Sequence, residues 1–239
     1  MVAMLRQSAW IAVAALLVGC SGHAVKRHSA TRCPPASGRI DGVDVRLRDP
    51  VCGDVDGTGG RERVGIAVVH QRMWLGVRFE HRTLASALPS DEADVVARLV
   101  FVNGLAALDR RRGLEIVATV HQGASTAFGQ IFSIEHGALT RVRVPEVGNE
   151  FAYEGSVTHF DVIDCVRPRS GLIRISGYGW DGRSHYIQGR GLYRIVENRL
   201  VQVAHTTSRQ TVQHAGRFRE FAEPQPFPHC MVIRNTRTH

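Results

Sequence analysis

Four oxygen donors crowd one short stretch of the chain. Asp54-x-Asp56-x-Thr58-Gly59-x-x-Glu62 places side-chain oxygens at positions 1, 3, 5 and 9 of a glycine-bent turn. A hard cation such as Ca²⁺ is held by oxygens spaced in this way. Thr58 stands where a third carboxylate is usual, so the preferred reading is a glycine-enabled turn capped by its own aspartates, with Ca²⁺ at this one site as the alternative. No other cofactor is expected. Gly123-Ala124-Ser125-Thr126-Ala127 lacks the fifth-place glycine of a nucleophile elbow, and a serine hydrolase built on Ser125 with His121 or His136 is the opposed functional class. The 12 histidines form no His-x-His or His-x₃-His pair, and there is no Cys-x₂-Cys, so they read as structural or surface side chains and not as zinc ligands. Trp74, Tyr178 and Trp180 read as core or cross-strand packing.

The elements that must position these residues are strands. The loop Gly53–Gly60 feeds the apolar run Val64–Val69, and related loop-then-strand stretches recur at Asp109–Val117 and Asp164–Ile175. Asp56 to Asp109 is an offset of 53 residues. A second block recurs independently: Val77-Arg78-Phe79-Glu80-His81, Phe132-Ser133-Ile134-Glu135-His136 and Tyr193-Arg194-Ile195-Val196-Glu197, at offsets of 55 and 61. Two blocks at compatible spacing predict three consecutive four-stranded antiparallel repeats, Val51 to about Val102, Asn103 to about Tyr153 and Glu154 to Thr207, with their Asp/Gly loops on one face. Each sheet is too small to bury its apolar side alone, so neighbours must cover it. Ala97–Asn103 reads as strand. His136-Gly137, Asp181-Gly182 and Glu197-Asn198 supply hairpin turns. Met231-Val232-Ile233 is a last strand, expected beside the strand near Val45.

The N-terminus reads as an export signal. Arg6 precedes an apolar stretch, Ala9–Val18, that is too short to span a bilayer as a helix and suits a signal peptide. It ends in Leu17-Val18-Gly19-Cys20, which looks like a bacterial lipobox whose cysteine takes a diacylglyceryl group and, after cleavage, becomes the first residue. Residues 1–19 are then the lipoprotein signal peptide, 20–38 the lipidated N-terminus and tether, and 39–239 a single β-repeat domain. Four cysteines remain, Cys33, Cys52, Cys165 and Cys230, in an oxidising compartment where two bridges are expected. Cys52 and Cys165 each open a repeat, which favours Cys52–Cys165 with Cys33–Cys230 over Cys33–Cys52 with Cys165–Cys230. Spacing does not choose between them.

The formal charge of +8 would suggest an acidic partner, but Lys26 is the only lysine and the arginines are scattered along the chain. This reads as composition bias. Arg110-Arg111-Arg112 has no aromatic platform beside it, and no nucleic-acid partner is expected.

At the loop-and-strand residues from about Val51 to Thr207 the chain resembles actinobacterial envelope lipoproteins with degenerate FG-GAP or VCBS-type repeats. The resemblance implies an all-β, β-propeller-like fold and a role in adhesion or surface recognition. Three units fall short of the four blades of a closed propeller, so an incomplete or open arrangement is expected. The function expected is that of a non-catalytic lipoprotein on the outer face of the cytoplasmic membrane. It would be held to the membrane by its acyl chains and present a binding or structural domain to an envelope or extracellular ligand.

Overall fold

The computed structural model describes residues 32–89, 99–144, 149–156, 158–211 and 225–236. Within them the protein is all-β, with no helix. The chain opens with a hairpin, β1 (Ser37–Ile40) and β2 (Val43–Arg46), turned at Asp41-Gly42. A four-stranded antiparallel meander follows: β3 (Arg48–Gly53), β4 (Glu62–Val69), β5 (Arg72–Arg78) and β6 (Thr83–Ala87). The other strands are β7 (Phe101–Ala106), β8 (Glu115–Gln122), β9 (Thr126–Glu135), β10 (Ala138–Arg141), β11 (Phe151–Gly155), β12 (His159–Cys165), β13 (Leu172–Trp180), β14 (His185–Val196), β15 (Arg199–Thr211) and β16 (Met231–Arg234). They form one curled, half-barrel sheet in the order β15-β14-β13-β12-β11-β9-β8-β7-β16, with β10 also on β9.

The strands therefore divide into sheets of two, four and ten, and not into three separate four-stranded sheets. The cause is the length of β9. Its second half pairs with β10 at Phe132–Glu135, and its first half pairs on the same edge with β11 at Thr126–Gly129. One strand thus joins two stretches that alternation alone would separate. Bulges at Val120 on β8 and at Val203 on β15, opposite Leu192 and Tyr193, add local twist to the curl. Arg143 closes it further by a parallel bridge to Arg199 at the start of β15.

Three cores follow from this arrangement. One lies between the four-stranded sheet and β7–β9, where Ile66, Leu75 and Val77 face Leu105, Ile116 and Phe132. A second fills the curl with Val117, Ile131, Phe151, Ile163, Tyr193 and Phe227. A third, smaller core lies under the β1–β2 hairpin, around Ile40, Leu47, Ala67 and Val69. Ile116 and Ala118 belong to the first core and Val117 between them to the second, so β8 is apolar on both faces and its sequence does not alternate.

Several expectations are corrected here. Cys33 pairs with Cys52, and Cys165 with Cys230, at Cα separations of 6.2 and 6.1 Å. The favoured Cys52–Cys165 pairing fails because the loop after β7 lies between the loops that those two cysteines open. β16 pairs with β7, Met231 opposite Ala106, and not with the strand near Val45, because Phe227 N–H donates to the Ile163 carbonyl and Ala107 N–H to that of Cys230. The C-terminal turn is thereby seated between β12 and β7. The domain also begins earlier than residue 39. Arg63 Nε donates to the Pro34 carbonyl at 2.6 Å, Cys33 is bridged, and β1 starts at Ser37, so the last residues of the expected tether are bound to the fold. The strand expected over Ala97–Asn103 is seen from Phe101; residues 97 and 98, like 1–31 with Cys20, lie outside the described residues. The three expected hairpin turns are where the sequence places them, with positive φ at His136, Gly137, Gly182, Glu197 and Asn198.

Candidate functional site

The loop between β3 and β4 closes on itself through its carboxylates. Asp54 Oδ1 accepts from Gly57 N–H at 2.7 Å and Oδ2 from Gly59 N–H at 3.0 Å. Asp56 Oδ1 accepts from both the backbone N–H and the hydroxyl of Thr58, at 2.9 and 2.7 Å. Glu62, on the first residue of β4, is only 4% exposed, and its Oε2 accepts from Val55 N–H at 2.9 Å. Carboxylate oxygens of Asp54, Asp56 and Glu62 lie within 4.8 Å of one another. Burial pushes Glu62 up to about 7, with the neighbouring Asp56 and Asp54 charges adding to it, and burial likewise raises Asp54.

This convergence has the donor type that Ca²⁺ takes, and backbone carbonyls or waters would have to complete its six to eight oxygens wherever the carboxylates bind through one oxygen. Both Asp54 oxygens, Asp56 Oδ1 and Glu62 Oε2 already accept from backbone N–H groups, and the Thr58 hydroxyl donates to Asp56. These bonds are those of an Asx-type turn. Ca²⁺ would have to compete with the backbone N–H groups for these carboxylates.

The same construction recurs one unit on. Leu108 N–H donates to Glu115 Oε2 at 2.8 Å, as Val55 does to Glu62, with both residues displaced by 53 positions. Asp109 Oδ1 caps Arg111 N–H at 2.7 Å. The two loops touch along their backbones. Leu114 N–H donates to the Asp54 carbonyl at 2.9 Å, and a Cβ on Gly57 (φ +76°) would lie 2.7 Å from Gly113 N. The loop after β12 joins the row: Arg169 and Gly171 N–H donate to the carbonyls of Ala107 and Leu108 at 2.7 and 3.0 Å, and the Arg169 guanidinium donates to those of Arg111 and Arg112. The stack is thus 53–61, 107–114, 166–171, in that order.

Beneath the second loop lies a cluster that the sequence did not single out. Arg111 pairs with Asp109, Glu135 and, at 3.7 Å, Glu115. Asn198, from the β14–β15 turn, donates to Glu135 and accepts from the Ser133 hydroxyl at 2.9 Å. Glu115 is 2% exposed; burial first, then the Asp109 charge, pushes its carboxyl up to about 8. Glu115 and Glu135 each lie within one of the recurring blocks, which was the available signal. A cavity of about 240 Å³ separates this cluster from Asp56 and Gly57 of the first loop.

The hydrolase residues do not assemble among the described residues. Ser125 is exposed in the β8–β9 turn, while His121 stacks on Phe128 and approaches Glu150 at 3.4 Å. His136 forms the β9–β10 turn. Ser184, His185 and Asp181 sit together, but hydroxyl and carboxylate both approach Nδ1, at 2.8 and 3.6 Å. A relay needs the two opposite ring nitrogens. Arg209 first, then the backbone N–H groups of His185 and its neighbours, hold the Asp181 carboxyl well below the usual carboxylate range, as in a structural turn.

Comparison with protein-family models, with curated proteins and with solved structures returns no match.

Proposed function

We propose that this chain is a non-catalytic, lipid-anchored envelope protein that presents an all-β domain on the outer face of the cytoplasmic membrane to a ligand of the envelope or the exterior. The observation that carries the reading is the pairing of all four ectodomain cysteines, Cys33 with Cys52 and Cys165 with Cys230. Bridges of this kind persist outside the cytoplasm, in agreement with the export signal and the lipobox ending at Cys20. The meanders β3–β6, β7–β10 and β12–β15 are read as three successive four-stranded units of a propeller-like, open repeat, fused by β11. The matching Val55/Glu62 and Leu108/Glu115 bonds support the relation between the first two. The likeness to FG-GAP or VCBS-type lipoproteins is part of the same proposal.

The test opposes binding to hydrolysis. Full-length protein is treated with a serine-directed fluorophosphonate probe, alongside Ser125→Ala and Ser184→Ala. No specific labelling is expected; labelling of the wild type that either substitution abolishes would overturn the non-catalytic reading.

A further inference from the structure

A groove of about 670 Å³ runs between the β1–β2 hairpin and the β5–β6 turn, and its charged lining is almost all of one sign. Arg39 and Arg46 enter it from the hairpin, Arg78 from the end of β5 and Arg82 from the turn opposite; Asp44 is the only carboxylate in the lining, and Glu80, just outside it, lies 3.8 Å from the lining His81. Asp44 lies 3.9 Å from Arg39 with 93% of its side chain exposed, so it screens the groove weakly. Gly38 brings the two walls together, since a Cβ there would lie 2.6 Å from Thr83 Oγ1. Arg78 is fixed in place by three backbone carbonyls: Nε donates to Ser37 at 3.0 Å, and the terminal nitrogens donate to Arg82 at 2.9 Å and Glu80 at 3.1 Å. Of its five N–H donors, about two remain for a ligand. The Arg82 guanidinium rests 4.6 Å above the Phe79 ring, which orients it without neutralising it. Arg46 has no ion pair or side-chain hydrogen bond among the described residues.

We propose that this groove binds a phosphate group, with Arg46 and Arg82 as the principal ligands and Arg78 as the fixed floor. Four guanidiniums against one exposed carboxylate call for a compact anion with several oxygens and more than one charge. Guanidinium forks match phosphate oxygens in pairs. The phosphate can come from a lipid headgroup or from a soluble phosphate. The groove begins at Ser37, four residues beyond Cys33, where the described chain is first bridged to the fold, so a chain anchored at Cys20 has it within reach of the membrane; the site itself does not depend on that anchorage.

The experiment uses the full chain reconstituted in phosphatidylcholine vesicles, to which inorganic phosphate is titrated against chloride, and, as the second arm, in phosphatidylglycerol-containing vesicles compared with phosphatidylcholine ones. Amide exchange is read over 37–46 and 78–83. Protection there with either probe, weakened at least tenfold in Arg46→Gln and in Arg46→Gln/Arg82→Gln, is the expected result. Response to vesicles alone assigns a headgroup, and response to inorganic phosphate assigns a soluble source. Thermal melting and intact disulfides check that the variants fold, and Arg46→Gln, at an exposed position with no partner among the described residues, stands if the double variant does not. No protection by either probe, protection elsewhere in the chain, or protection unchanged by Arg46→Gln overturns the assignment. None of these outcomes bears on anchorage, which is read from Cys20.

Discussion

Two buried glutamates, Glu62 and Glu115, do at the mouths of β4 and β8 what an ordinary surface carboxylate cannot. Each accepts a bond from a backbone N–H seven residues earlier, and burial raises each toward or above neutrality. The sign of the resulting pH dependence is fixed by linkage. Folded-state pKa values of about 7 and about 8, against 4.5 for a free glutamate, mean that the folded state holds these protons more tightly. Their contribution is fully present below the unfolded value and is lost as pH rises through the folded ones. Melting temperature should therefore fall between pH ~5 and ~8, and Glu115→Gln should flatten the fall, most visibly at its alkaline end. Scanning calorimetry across that range checks it; equal slopes for wild type and variant would contradict the assignment. The glycine seam makes a second residue-scale prediction. Gly57→Ala meets both a left-handed φ and the Gly113 backbone, so it should cost about 2 kcal/mol or more. Gly59→Ala has a similar φ of +88° with nothing within 4 Å, so it should cost only about 1 kcal/mol. Equal losses in denaturant melts would mean that the loops do not touch as described.

Among the elements, β16 is the one whose place depends most on a covalent tie. It pairs with β7 over only a few residues, and the turn before it is held by the Cys165–Cys230 bridge. Replacing both cysteines by serine should lower stability by about 2–4 kcal/mol and speed amide exchange in β16 and along β7 first. Uniform exchange across the sheet would show instead that β16 is held by its packing. The sequence made the strands and turns legible because most faces alternate and because His136-Gly137 and Glu197-Asn198 are turn chemistry. It did not reveal that β9 serves two neighbours, since pairing on one edge leaves no mark on alternation. Nor did it reveal the disulfide partners, which depend on the order of three loops in space. The Asp54/Asp56/Glu62 convergence was legible from spacing; that its oxygens are turned inward onto backbone N–H groups was not. Nor were the ion pairs of Arg111 legible, because its three carboxylate partners come from both near and distant sequence.

For the whole molecule, the central strands are covered on both faces, one core lying toward the four-stranded sheet and the other within the curl, and the β1–β2 hairpin covers the remaining face of the first sheet. β15 is different: thirteen residues long, exposed along nearly its whole length, with Val201 and Val203 at 41% and 48% exposure. Its Arg199 and Arg209 are the kind of side chains that discourage edge-to-edge pairing. The charge that looked scattered along the chain gathers in space around Arg39, Arg46, Arg78 and Arg82, which linear reading could not foresee because the contributing strands are far apart in sequence. The central claim, an ectodomain held to the membrane through Cys20, is tested most directly by intact mass and membrane fractionation of the protein made in a bacterial host with its own signal, beside Cys20→Ala. The account predicts a mature chain starting at Cys20, carrying diacylglyceryl mass and sedimenting with membranes, and a variant that stays unprocessed or leaves the membrane fraction. A variant processed and retained like the wild type, or a wild-type chain cleaved elsewhere without added lipid, would contradict it.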